Sequence, residues 1–324
     1  MPNLITHNIF CEEVLKDINN KKYKNIITNH MEEYRIGSNG PDFLFFHGVF
    51  PLYKTPDLHI SKLGTKLHRG KVNAFYESAI TTYVQHANNK VKDAMASYII
   101  GHYLHWQLDS VMHPYVVYLT GFQSEYATLY HHRFESMMDT INLKNYRNTD
   151  IRSFKTYQIT NRGKYTDRAI SEVYVPAIRA CFDVDISQSD IEQALRDWQK
   201  AQKYLYDPHK VKYRLLRSYE ILSRKPGLSG NVVLPDIDTR YDVMNVAKKT
   251  WLHPTTGQPS NESEDEVFHR ALHDAQIGLP LLFAALDGKD MKPFLTFLGN
   301  KTYNNGVKPS EATRQYKDPI YDRK

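Results

Sequence analysis

Apolar positions recur along most of this 324-residue chain at intervals of three and four, the spacing of one face of an α-helix. Phe10, Val14 and Ile18 open the pattern, with Thr6 placed as N-cap and Glu12 and Glu13 in the early turns. That helix is expected to end near Asn19-Asn20. Gly37-Ser38-Asn39-Gly40-Pro41-Asp42 carries the residue types of a turn. An aromatic run from Phe43 to Phe50 follows, closed by Pro51, and residues 52–69 read as an irregular loop. Helices are predicted over 71–89, from Val91 to about Met112, and through His131 to Ile141. Pro114 should end the second of these, because it lacks an N–H and clashes with the preceding turn. Further helices are predicted near 166–181, 188–206, 209–224, 239–248, 264–287 and 290–299.

No sustained alternation of apolar and polar residues marks a strand, and no repeat of fixed period appears. The pattern therefore predicts an all-α fold. Ser223 to Thr239, rich in Gly, Pro and Asp, is the expected boundary between a helical domain (1–225) and a C-terminal helical extension (226–300). Residues 301–324 are polar and scattered with Tyr and Pro, and are expected to form a poorly ordered tail.

Composition narrows this picture in three ways. Apolar residues make up 41% of the chain, enough for a packed core, yet no run of eighteen apolar residues could span a bilayer. Net charge is +6, but six basic and three acidic residues of the tail account for half of it. The body keeps only about +3, so charge implies no stable nucleic-acid partner. The two cysteines, Cys11 and Cys181, are too few for a disulfide framework. Together with a first segment lacking a basic region ahead of an apolar one, they predict a cytoplasmic protein.

The candidate chemistry lies in His105-Trp106-Gln107-Leu108-Asp109-Ser110-Val111-Met112-His113. Two four-residue steps place His105, Asp109 and His113 on one helical face, and His102 falls on the same face one turn earlier. His131 and Glu135 repeat the spacing downstream. Imidazoles and carboxylates at this pitch suit a divalent, borderline-soft metal. One helix cannot close such a site, so other segments must add ligands. Candidates are abundant, among them His7, Asp42 and His68, besides His131 with Glu135. His132 is an alternative to His131. His102 reads better as a packed core histidine than as a ligand, and the aromatics near Phe43 read as core or as a pocket wall.

Taken in order, these residues resemble the zinc-dependent phospholipases C and their relatives, the single-strand-specific nucleases. The matching elements are Thr6-His7, Pro41-Asp42, His68, His105 with Asp109, His113 beside Pro114, and His131 with Glu135, continued by Met137-Met138-Asp139-Thr140-Ile141. The resemblance covers about residues 1–145. It implies an all-helical fold around a trinuclear zinc site. One ion would be held by Asp42, His68, His105 and Asp109, and a second by His113, His131 and Glu135. The third would take His7, the other oxygen of Asp109 and the N-terminal amine. Members of the family carry a processed N-terminal tryptophan. Here removal of Met1 would expose Pro2, five residues before His7. The step from Asp109 to His113 is also shorter than in the best-known members.

The expected activity is zinc-dependent hydrolysis of phosphate esters, most of all a phospholipase C-type phosphodiesterase. It would use two to three zinc ions and a metal-bound hydroxide, with Asp42 as the catalytic carboxylate. The substrate would be a phospholipid or a soluble diester. A nuclease or nucleotidase of the same fold is the alternative enzyme, and a metal-stabilised helical protein without catalysis the alternative of another class.

Overall fold

Twelve α-helices and one short pair of strands appear in the computed structural model, which describes residues 4–49, 58–224, 229, 232 and 237–322. The first half contains α1 (Leu4–Asp17), α2 (Lys21–Asn29), α3 (Met31–Gly37), α4 (Leu58–Arg69) and α5 (Val72–Gln85). Next come α6 (Asn89–Thr120) and α7 (Ala127–Arg147), then α8 (Thr166–Phe182), α9 (Gln188–Leu205) and α10 (Val211–Ser223). The strands β1 (Trp251–Leu252) and β2 (Pro259–Ser260) pair antiparallel, with Trp251 opposite Ser260. α11 (Glu264–Leu286) and α12 (Lys292–Leu298) complete the set. The fold is all-α, as the periodicity predicts. No helix among the described residues is long and apolar enough to cross a membrane.

The architecture is organised around α6, which packs against α1, α2, α3, α7, α8 and α11. It is buried nearly all round, from Ala94 to Ser110 without a break. This explains why its apolar residues show no single stripe: a helix enclosed by neighbours needs no polar face. The closest approach is between α3 and α6. A Cβ on Gly101 would lie 2.4 Å from the carbonyl oxygen of Tyr34, and one on Gly37 would lie 2.5 Å from that of Tyr98. Two residues without side chains let the backbones touch there, which lowers the following turn onto the middle of α6.

Several expectations are corrected. Pro114 does not end α6, which runs on to Thr120. One ladder bond is lost, while Tyr115, Val116 and Val117 beyond the proline gain full burial. Residues 58–69 are helix rather than loop, and the turn at 37–41 leads into a 3₁₀ helix over Asp42–Phe46. Phe50, Pro51 and Tyr53 lie outside the described residues. Thr6 is not the cap of α1 but sits within its first turn. No helix forms over 239–248. Both carboxylate oxygens of Asp242 take up the N–H groups of Val246 and Ala247 at 2.9 and 3.0 Å. A side chain that satisfies those donors competes with the helical ladder.

The C-terminal segment gives the largest difference. Residues 301–322, expected to be a loose tail, are laid along the protein. Trp106 donates its indole N–H to the Lys301 carbonyl at 2.9 Å, Asp318 donates its N–H to the Tyr118 carbonyl at 2.9 Å, and Tyr303 and Ile320 are buried. Its low hydropathy hid two anchoring apolar side chains and a set of backbone bonds that only a folded partner surface can supply. Much of the expected domain boundary lies outside the described residues, but α11 beyond it packs directly on α6, α1 and α5.

Candidate metal centre

Asp109 lies at the middle of α6 and faces four histidines from three helices. Its Oδ1 is 3.0 Å from His7 Nε2 of α1. Its Oδ2 is 3.2 Å from His105 Nε2, 3.5 Å from His113 Nδ1 and 3.9 Å from His68 Nε2 of α4. His105, Asp109 and His113 share a face because α6 keeps its register through Pro114. Asp42 enters from the 3₁₀ helix after the α3 turn, with Oδ1 3.0 Å from His68 Nε2 and 3.9 Å from His105 Nε2. On the other side of His113, Glu135 Oε1 of α7 lies 3.4 Å from His113 Nε2 and 2.9 Å from His131 Nε2.

Three groups of donors emerge: His7, His105 and Asp109; Asp42, His68 and His105; and His113, His131 and Glu135. Within each, one donor atom per residue lies within 4.8 Å of the others. The structure thus brings together all eight side chains singled out from the sequence. Pro2 lies outside the described residues. His131, not His132, joins the third group.

Backbone contacts fix the rings. His68 Nδ1 donates to the Gly64 carbonyl at 2.8 Å, one turn back on α4, which leaves the Nε2 lone pair turned toward Asp42. His113 Nδ1 donates to the Tyr303 carbonyl at 3.2 Å and leaves Nε2 toward Glu135. His105 is pinned by the α3 turn: Gly40 has φ +48°, and a Cβ there would lie 2.1 Å from His105 Cδ2. Only glycine meets both the left-handed backbone and the contact.

The electrostatics show groups that protons alone serve poorly. Burial works against a charge on Asp109, yet His105, His113 and His7 outweigh it and hold the carboxyl well below the usual range. Burial pushes Asp42 upward, with His68 only partly offsetting it. His105 is driven toward the neutral imidazole by burial. Burial also opposes a proton on His113, but Asp109 and Glu135 raise it to about 9. Meanwhile His105 Nε2 and Asp42 Oδ1 are buried without a hydrogen-bond partner among the described residues. Imidazole nitrogens and carboxylate oxygens that converge this closely, deep in protein, fit a divalent cation between them. The donor set of nitrogen and oxygen is the one zinc takes.

A profile of the zinc dependent phospholipase C family matches residues 6–188, more than half of the chain. The chain belongs to the zinc-dependent phospholipase C family. No curated protein and no solved structure matches it.

In this phospholipase C family member a cleft of about 400 Å³ opens onto two of the three donor groups, reaching His68, His113, His131 and Glu135. Phe45 lines the same cleft, while Phe43 and Phe46 belong to the core. His102 is not in any donor group. It is buried, lies stacked on Phe75 with centroids 4.5 Å apart, and pairs its Nδ1 with the Tyr76 hydroxyl at 2.8 Å. Burial drives its pKa down to about 3, as for a neutral core imidazole.

Two residues escaped the sequence reading. Tyr303 packs its ring 5.0 Å from that of His68 and 5.7 Å from that of His105, besides holding His113 through its carbonyl. Nothing in Lys301-Thr302-Tyr303-Asn304-Asn305 signals this, since the contact is almost two hundred residues away in sequence. Asp139 was legible only as part of a motif. It accepts from the N–H of Ile5 at 3.1 Å and from the N–H and hydroxyl of Thr6 at 2.8 and 2.7 Å. It thereby caps the helix that carries His7.

Proposed function

We propose that this protein is a phospholipase C-type phosphodiesterase working at two to three zinc ions. His7, Asp42, His68, His105, Asp109, His113, His131 and Glu135 are its ligands. The observation that carries the reading is Asp109, whose Oδ1 faces His7 while its Oδ2 faces His68 of the second donor group and His113 of the third, as suits a carboxylate bridging two cations. When bound, zinc would supply Lewis acidity toward the phosphate oxygens and an acidified water near neutral pH.

The remaining work falls to the chain itself. His113, His131 and Glu135 stand at the cleft wall, where the phosphate of a diester would be received. Asp42 comes from a turn rather than from the ligand helices. Its Oδ1 faces His68, so the second oxygen is left to orient a water and take its proton. Burial of every donor except the half-buried His131 keeps bulk water from competing with their charges. Structural zinc sites are closed by protein ligands, whereas here a cleft reaches the donors, which favours catalysis over mere stabilisation. Cys11 and Cys181 are buried free thiols, which supports a cytoplasmic location.

The test pairs elemental analysis with a panel of lipid, nucleotide and p-nitrophenyl diesters. Zinc at two to three ions per chain is expected, with diester hydrolysis lost on chelation and regained with zinc. Asp42→Asn should cut turnover about 10²- to 10⁴-fold, the usual weight of a general base, with a much smaller effect on melting. At most one zinc, or no diester cleaved by zinc-replete protein, would overturn the reading. Cleavage of nucleotides alone would move it to the nuclease branch.

A further inference from the structure

Two arginines lie beside the metal centre with no acid paired to them among the described residues. Arg69, the last residue of α4, directly follows His68, and Arg314 comes from the C-terminal segment. Both line the cleft that reaches His113, His131 and Glu135. Both also line an adjoining cleft of about 480 Å³ together with Phe122, Asn304 and Asn305. They therefore stand where the two lobes meet. Arg314 is held in place: its Nε donates to Asn305 Oδ1 at 2.7 Å and one terminal nitrogen donates to the Asn304 carbonyl at 3.3 Å. Arg69 is exposed. No carboxylate among the described residues is paired with either guanidinium.

The geometry points to a second anion-binding subsite: the diester this protein cleaves carries another phosphate on its head group, and Arg69 and Arg314 bind it. This deepens the proposed function and rests on it. Like charges gathered at one cleft repel each other until an anion joins them, and burial together with the nearby Arg69 already disfavours the charge on Arg314. Guanidinium groups match phosphate oxygens with paired N–H donors, which ammonium groups cannot do. The aromatic wall argues the same way. Phe122 has Arg314 at 5.9 Å and Lys317 at 5.5 Å from its ring centroid. A quaternary ammonium head group placed on that ring would meet cations already there.

Two readouts test this. The first is the ratio of kcat/KM on short-chain phosphatidylinositol 4-phosphate to that on short-chain phosphatidylcholine. The wild type should favour the former, and Arg69→Gln and Arg314→Ala should each lower the ratio by about ten- to a hundredfold, the worth of a hydrogen bond to a charged group. Arg314→Lys, which keeps the charge but not the fork, should fall between. The second is calorimetric binding of glycerol 2-phosphate to the zinc-replete protein, which needs no turnover. The same variants should weaken it to the same degree, with zinc content and melting temperature showing that each is folded. A choline preference, or equal ratios and equal affinities in wild type and a folded Arg69→Gln protein, would overturn the subsite. If no diester is cleaved while phosphate binding still depends on the arginines, the proposed function falls and the anion site stands.

Discussion

Asp139 on α7 holds Thr6 on α1 through two bonds, accepting from its N–H at 2.8 Å and from its hydroxyl at 2.7 Å. The next residue along is His7, whose Nε2 meets Asp109 at 3.0 Å. A carboxylate 133 positions away thus caps the helix start and sets the depth at which His7 enters the metal centre. Asp139→Ala should cost at least about 2 kcal/mol, since it leaves the buried N–H groups of Ile5 and Thr6 and the Thr6 hydroxyl without their acceptor. The ion that depends on His7 should be lost selectively. Thermal melting and zinc per chain measured together check this, and unchanged values of both would reduce the contact to packing.

Asp109→Asn should lower metal content at two groups at once. The amide keeps one acceptor oxygen but neither the charge nor a second oxygen, so it cannot serve both His7 and His105 with their cations. Elemental analysis of the purified variant should show a drop larger than one ion. Loss of a single ion would show that the carboxylate does not bridge.

Glu264 gives a pH effect away from the metal centre. It is buried at the start of α11, accepts from Asn142 Nδ2 at 2.9 Å, and burial pushes its pKa up to about 7 from 4.5. Between those values the folded protein binds more protons at this site than the unfolded chain, so its contribution to stability falls as pH rises through the window. Above pH 7 the full cost applies, on the order of 3 kcal/mol. Glu264→Gln keeps an oxygen to accept from Asn142 and removes the charge. Its melting temperature should exceed that of the wild type by several degrees at pH 8, and the difference should shrink toward zero near pH 4.5. A pH-independent difference would mean that the carboxyl does not titrate in this range.

Removal of residues 301–324 should be damaging. Truncation takes away the carbonyl that orients His113, the ring over His68 and His105, and the partner of the Trp106 indole. Zinc content should fall and melting should drop by many degrees, because buried donors are left unsatisfied and a large aromatic side chain is lost. A dispensable tail would leave both unchanged.

The all-α fold and the eight candidate ligands were legible in the chain itself. Helical periodicity is a local property, and steps of four along α6 and α7 place side chains on one face whatever surrounds them. His105, Asp109, His113, His131 and Glu135 are of this kind. His7, Asp42 and His68 could be picked out only by their order in a family pattern, since no local geometry relates them. What joins them to α6 is tertiary: the glycine-to-glycine contact of α3 and α6, the cap that Asp139 places on α1, and a helix at 58–69 where the sequence suggested loop. The continuation of α6 past Pro114 was likewise decided by burial beyond the proline, which outweighed a rule of backbone chemistry. The order of residues 301–322 was invisible because polar composition counts apolar residues, whereas what fixes that segment is a handful of hydrogen bonds and two buried side chains meeting a surface that exists only once the helices have packed.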